Sequence, residues 1–145
     1  MQIIKLLLVA LAMSGFVATA GAQDAKPYKE GAVTQLSYIK TKPGKFNDYM
    51  KFLAGDYKKL MEANIKAGLV VRYGIYTTQP RNPNEANLIL TVTVPNYATL
   101  DKVDERDAIS AKIGGSSEAH AKAAAERATL RDILGGELIQ EVVLK

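Results

Sequence analysis

Over residues 45–67 the apolar side chains of Phe46, Tyr49, Met50, Leu53, Tyr57, Leu60 and Met61 recur at steps of three and four, and nothing else in the chain restricts its fold so strongly. That spacing puts them on one stripe of an α-helix, while Lys51, Lys58, Glu62 and Lys66 fall opposite. Gly68, directly after Lys66 and Ala67, suits the C-terminal cap, because glycine takes the left-handed conformation without steric cost. Phe52 lies off the stripe and reads as an exposed aromatic. A helix with a single apolar stripe must lie on an apolar surface, and the flanking segments read as the strands that supply it.

A first strand is expected over 32–41, where Val33, Thr34, Tyr38 and Ile39 give β-branched and aromatic character, ended by Pro43 and Gly44. Beyond the helix, 69–76 and 86–94 alternate as strands do. Leu69, Val71, Tyr73 and Ile75 share one face of the first, and Leu88, Leu90, Val92 and Val94 share one face of the second. Between them, Pro80, Asn82, Pro83 and Asn84 make 77–85 a turn-rich hairpin loop. Pro95 stops the strand, and Asn96 can cap a helix whose stripe is Tyr97, Leu100 and Val103. Ile109 and Ile113 point elsewhere on that wheel, so a break or bend is expected within 104–113. Ser116 or Ser117 can cap a further helix over 118–134, with Ala119, Ala123, Leu130, Ile133 and Leu134 on one face. The pairs Gly114-Gly115 and Gly135-Gly136 read as helix ends, which leaves 138–144 as a closing strand.

The order β-α-β-β-α(α)-β is the split βαβ arrangement of a ferredoxin-like α+β domain. Right-handed crossovers put the first and third strands at the centre of a four-stranded antiparallel sheet and all helices on one face. The other face has no helix to cover it. It would present Val70, Arg72, Gly74 and Tyr76 from the second strand and Ile89, Thr91 and Thr93 from the third, with Val33 or Leu36, Ile139 and Val143 adding apolar area. A face of that size is expected to meet a partner, and a second copy of the chain is the economical one. In this element order, in Lys42-Pro43-Gly44-Lys45-Phe46-Asn47-Asp48-Tyr49 opening the first helix and in Val94-Pro95-Asn96-Tyr97 opening the second, the chain resembles the dimeric α/β-barrel superfamily. The resemblance spans about 32–144 and implies two ferredoxin-like sheets packed into one barrel. It implies no single activity, since that superfamily includes cofactor-free monooxygenases, haem-degrading enzymes, small-molecule isomerases, stress-response proteins and members of unassigned function.

The N-terminus carries a different pattern. Lys5 gives a short basic start, residues 6–17 form an apolar run, and Ala20 and Ala22 provide the small side chains of a signal-peptidase site. The run is shorter than the roughly 20 apolar residues of a transmembrane helix. Residues 1–22 are therefore expected to be a cleaved signal peptide, 23–31 a flexible lead-in and 32–145 the folded domain, exported to the periplasm or beyond the cell. The chain has no cysteine, so neither a lipid anchor nor a disulfide follows export. Without Lys5 the 19 basic residues become 18 against 15 acidic ones, a net charge of +3. The basic residues are dispersed among acids, unlike the clustered stripe that nucleic acid requires. No nucleic-acid partner and no stable membrane association are expected.

Candidate chemistry is sparse. A lone histidine, His120, and no cysteine do not make an ordinary zinc site, and no metal or cofactor is predicted. His120 lies about 80° from the Leu130 stripe on the last helix, on the same side as Arg127 and Arg131, which reads as a solvated flank. In haem-handling members of the superfamily a histidine ligates iron, so the resemblance makes His120 the haem candidate. Asp101, Asp104 and Asp107 alternate with basic residues as a solvated helix face does. The candidate ligand-binding residues lie on the helix-free face: Arg72, Tyr76, Thr91 and Thr93, joined by Tyr38 and Glu141. Arginine and tyrosine can orient an anionic or phenolic ligand, and tyrosine can pass a proton in cofactor-free chemistry. In the competing arrangement Arg72 pairs with Glu141 and the tyrosines pack across a dimer. The expected function is that of an exported homodimer binding a small, partly apolar molecule in or beside its barrel, with no catalytic residue assigned. The alternatives are a non-catalytic interaction or stress-associated protein whose sheet face serves only assembly, and haem binding through His120.

Overall fold

The computed structural model describes residues 26–145, so the signal peptide expected over 1–22 lies outside the described residues. Strand β1 (Tyr28–Thr41) leads into a continuous helical rod formed by α1 (Phe46–Phe52), a π-helical turn (Leu53–Tyr57) and α2 (Lys58–Lys66). Strands β2 (Arg72–Thr77) and β3 (Leu88–Val94) follow, then a 3-10 turn (Tyr97–Asp101), α3 (Val103–Gly114), α4 (Ser117–Ala128) and β4 (Arg131–Leu144). The four strands form one antiparallel sheet in the order β2-β3-β1-β4, with β1 and β3 at its centre. This is the ferredoxin-like topology that the element order implied.

The core lies between the rod and the sheet. Tyr49 and Leu53 from the rod meet Ile39, Leu88 and Leu90 from the central strands, with Met50, Phe52, Tyr57, Ile75 and Leu130 packed around them. Each fully buried side chain of this size contributes roughly 1.5–3 kcal/mol. Phe52 is not the exposed aromatic that its off-stripe position predicted. It is half-buried, stacked on Tyr49 with ring centroids 5.8 Å apart. Residues Tyr49, Leu53 and Tyr57 follow one another at four-residue steps, which drift around a regular α-helix by about 40° each. The wider π turn offsets that drift and keeps Tyr57 over the sheet, where its ring meets Tyr73 edge-on at 5.9 Å.

Both expected N-caps form: the Asn96 side chain accepts from the Thr99 N–H at 3.1 Å, and Ser116 Oγ accepts from Ala119 N–H at 3.2 Å. The helical break falls at Lys102, just before the segment where it was expected. Three other boundaries differ more. The first strand starts at Tyr28, so Tyr28 to Gly31 belong to the sheet and not to a flexible lead-in; Tyr28 pairs with Leu144. The second strand begins only at Arg72, and the chain before it turns Val70 inward and leaves Val71 53% exposed, the reverse of the predicted alternation.

The largest correction concerns residues 131–137, which belong to the last strand, where a helix was expected to run to Leu134 and the glycine pair to end it. Gly135 and Gly136 end no helix. Gly135, at φ 151°, sits at the bulge where the β1–β4 register shifts between Tyr38 and Ile39. At Gly136 a Cβ would come within 2.6 Å of the Leu36 carbonyl oxygen, so glycine there lets β4 approach β1. No helix among the described residues is long and apolar enough to cross a membrane.

Candidate functional site

The helix-free face of the sheet carries the residues that the sequence singled out. Register places Arg72, Thr93, Thr34 and Ile139 in one row across all four strands, and Tyr76, Ile89 and Tyr38 in a second row. Val33 is fully buried on the other side, beside Val94, so Leu36 is the residue that faces outward here. Arg72, Thr93 and Glu141 line one open depression of about 370 Å³, together with Thr34, Val71 and Ile139.

Much of the polar capacity of this face is already used. Thr93 is 3% exposed, and its hydroxyl shares a 2.9 Å hydrogen bond with that of Thr34. Tyr76 lies back over Gly74: a Cβ on that glycine would be 2.6 Å from the ring and 2.8 Å from the Thr91 hydroxyl. Tyr38 donates its hydroxyl to Glu137, and this bond raises its pKa. Glu141 folds over Gly31, where an added Cβ would meet its Oε2 at 2.8 Å. Among the described residues Arg72 and Glu141 form no ion pair. The six candidates therefore divide into a depression holding Arg72, Thr93 and Glu141 and a tyrosine-covered patch holding Tyr76, Thr91 and Tyr38, and they do not converge on one point.

A larger cavity, of about 440 Å³, lies on the opposite side of the sheet, between the helical rod and the α3–α4 pair. Its aromatic wall is Tyr49, Phe52 and Tyr57, and its cationic wall is His120, Arg127 and Arg131. The Arg127 guanidinium sits 5.2 Å from the Phe52 ring centroid, and that of Arg131 sits 5.5 Å from the Tyr49 centroid. Burial pushes the Tyr57 phenol up to about 12, so the group is a proton donor throughout the neutral range. Burial also raises the Tyr49 phenol, while Arg131 and Arg127 beside it pull the other way.

Two buried side-chain polar atoms among the described residues have no hydrogen-bond partner, the Tyr57 hydroxyl and the Arg131 Nε, and both residues line this cavity. Each orphan is a donor, and an unmade bond at a buried donor costs about 1–3 kcal/mol.

The placing of His120 on a solvated flank is corrected by this arrangement. His120, Arg127 and Arg131 do share a side, but all three are half-buried against the cavity. The imidazole packs on the end of α3, where a Cβ at Gly114 would lie 2.4 Å from Cε1 and 2.9 Å from Nε2. A ring whose Nε2 edge rests on backbone does not suit axial ligation of haem iron, so the residues present do not fit that group. Tyr49, Tyr57, Arg127 and Arg131 were not among the sequence candidates. The two tyrosines lay on the core stripe and the two arginines on an apparently solvated flank. The shared side of His120 and the arginines was the available signal.

No protein-family model matches the chain, and no curated protein matches it. Among solved structures it is similar to HapK from Hahella chejuensis, at 12% identity and a TM-score of 0.48, with 75% of this chain and 91% of that one covered. It is also similar to a dimeric ferredoxin-like protein from an uncultured marine organism, at 12% identity and a TM-score of 0.49, covering 81% of this chain and 90% of that one.

Proposed function

We propose that the protein is an exported homodimer that binds a small, partly apolar organic molecule in the cavity between the helices and the sheet. The observation that carries this reading is an aromatic-lined cavity whose wall includes Arg127 and Arg131, two half-buried arginines without an ion pair among the described residues. A cavity of about 440 Å³ is the size that small-molecule sites usually have. Export rests on the N-terminal pattern of basic start, apolar run and Ala20/Ala22 cleavage site.

The dimer rests on the surface left uncovered. Ile139 and Val143 on the open side of β4 are 49% and 46% exposed, and Tyr76 on β2 is 50% exposed. A long edge strand with apolar side chains and unpaired backbone groups invites association, and a closed twofold contact covers it without polymerising. A second reading, in which this surface serves only assembly and no ligand binds, is favoured by the same exposed face. A thermal-shift screen with small aromatic and aliphatic compounds separates the two. Binding in the cavity predicts stabilisation of the wild type by some compounds and its loss in Ala123→Trp, which fills the cavity from α4. A screen in which no compound shifts the wild type supports the assembly reading instead.

A further inference from the structure

We infer that the molecule taken by the helix-side cavity is a planar aryl anion, an aromatic carboxylate or phenolate, with its charged oxygen held by Arg131 and Arg127 and its ring lying beside Phe52 and Tyr57. This inference rests on the cavity being a ligand site at all and adds the chemical class of the ligand.

The charge on the wall calls for an anion. Among the described residues neither Arg127 nor Arg131 makes an ion pair, although both are half-buried. Their neighbours are instead the rings of Phe52 and Tyr49, with Arg131 also interacting with the Tyr49 phenol, so neither guanidinium is neutralised by a carboxylate among the described residues. Among the described residues the one carboxylate on the cavity wall is Asp56, which is exposed and paired with Lys59 at 3.6 Å. Its charge is therefore answered from outside. Half-buried guanidinium groups without a counter-ion are the donors that bind a carboxylate or phenolate in parallel, charge-assisted hydrogen bonds.

The remaining wall calls for a flat apolar body. Tyr49 and Phe52 are stacked with 22° between their planes, Tyr57 stands beside them, and Leu60, Leu90 and Ile113 complete an apolar lining. Rings pack on such surfaces in offset or edge-on contact. An aliphatic anion would leave the aromatic wall unmatched, and a neutral arene would leave the arginine donors unmatched.

The test compares 1-naphthoate with 1-naphthalenemethanol by isothermal titration, two compounds of nearly equal shape that differ in charge. The inference expects 1-naphthoate to bind at least about tenfold more tightly, the scale of one lost charge-assisted interaction. Arg131→Gln is expected to abolish that preference, and Arg131→Lys to restore part of it, with thermal melts confirming that each variant is folded. Equal affinity of the two compounds for the wild type would overturn the aryl-anion inference while leaving the cavity a ligand site. Preference for the anion that persists in both Arg127→Gln and Arg131→Gln would overturn the assignment of the charge-holding residues. Binding of neither compound, together with no response in the thermal-shift screen, would overturn the cavity reading itself. Because the first comparison uses only the wild-type protein, it decides the matter even if a variant fails to fold.

Discussion

Strands β1 and β4 are each fourteen residues long and pair with one another from end to end, yet they have opposite fates. β1 buries Val33, Ile39 and Thr41, with Ile39 packed against the helical rod; β4, at the sheet edge, buries nothing, and Ile133, Leu134, Leu138, Ile139, Val142, Val143 and Leu144 are all exposed. The contrast extends to the two parts of the chain. Every buried residue is Thr99 or earlier, and none occurs in α3, α4 or β4. The difference shows that backbone pairing alone does not make a core. A strand acquires one only when elements pack on its side chains, and β4 has too little packed upon it within this chain.

The strongest way to break the comparison is to remove a side chain from each part. Leu53→Ala, at a 1% exposed position, is expected to cost about 3–5 kcal/mol of unfolding free energy in urea titrations. Leu138→Ala, at a 47% exposed position, should cost less than about 1 kcal/mol when the protein is diluted to monomer. Comparable costs would mean that β4 belongs to the same core as β1.

A second experiment asks what the exposed strand is for. Ile139→Lys puts a charge in the middle of the open face and is expected to weaken self-association by about a hundredfold in sedimentation experiments, the order of an apolar interface contact replaced by an uncompensated charge. Monomer stability should be nearly unchanged. If the wild type is itself monomeric at micromolar concentration, the surface has another use and the proposed dimer fails.

The smallest effect is expected where the two parts meet, at Tyr57. Its phenol is raised by burial from 10.0 to about 12, which favours the protonated form in the folded state. The associated stabilisation is complete below pH 10 and is lost as the pH rises through about 12. It should amount to on the order of 1–2 kcal/mol once partial exposure is allowed for, and Tyr57→Phe should flatten this alkaline limb. Tyr49, also raised, contributes in the same direction and leaves a residual slope. A normal phenolate titration at 295 nm near pH 10 for all seven tyrosines would show that Tyr57 is not buried as described.

Local signals were readable in proportion to how little they depended on distant residues. The stripe from Phe46 to Met61 and the caps at Asn96 and Ser116 are decided within a few residues, and the helix and both caps form, with the π turn at Leu53–Tyr57 the one departure within the stripe. The segment 131–137 was misread because Leu130, Ile133 and Leu134 continue the periodicity of α4 and a glycine pair resembles a helix end. What overrides that local pattern is pairing with β1, almost a hundred residues earlier in the chain, where Gly136 permits the close approach to Leu36. The site was half legible for a related reason. A helical wheel places His120 and Arg127 on one side, but it does not distinguish a side facing water from a side facing a cavity.

The sequence by itself determined the order of the elements, the helix-bearing and helix-free sides of the sheet and the outward position of Arg72, Tyr76, Thr91 and Thr93, because alternation and helical periodicity are properties of a few consecutive residues. Only the tertiary structure decided that β4 begins at Arg131, that Phe52 meets Arg127 and Tyr49 meets Arg131, and that Tyr57 and Arg131 each keep a buried polar atom without a partner. Those facts depend on contacts between segments far apart in the chain, whose geometry is set by packing and pairing and not by the pattern of any one segment.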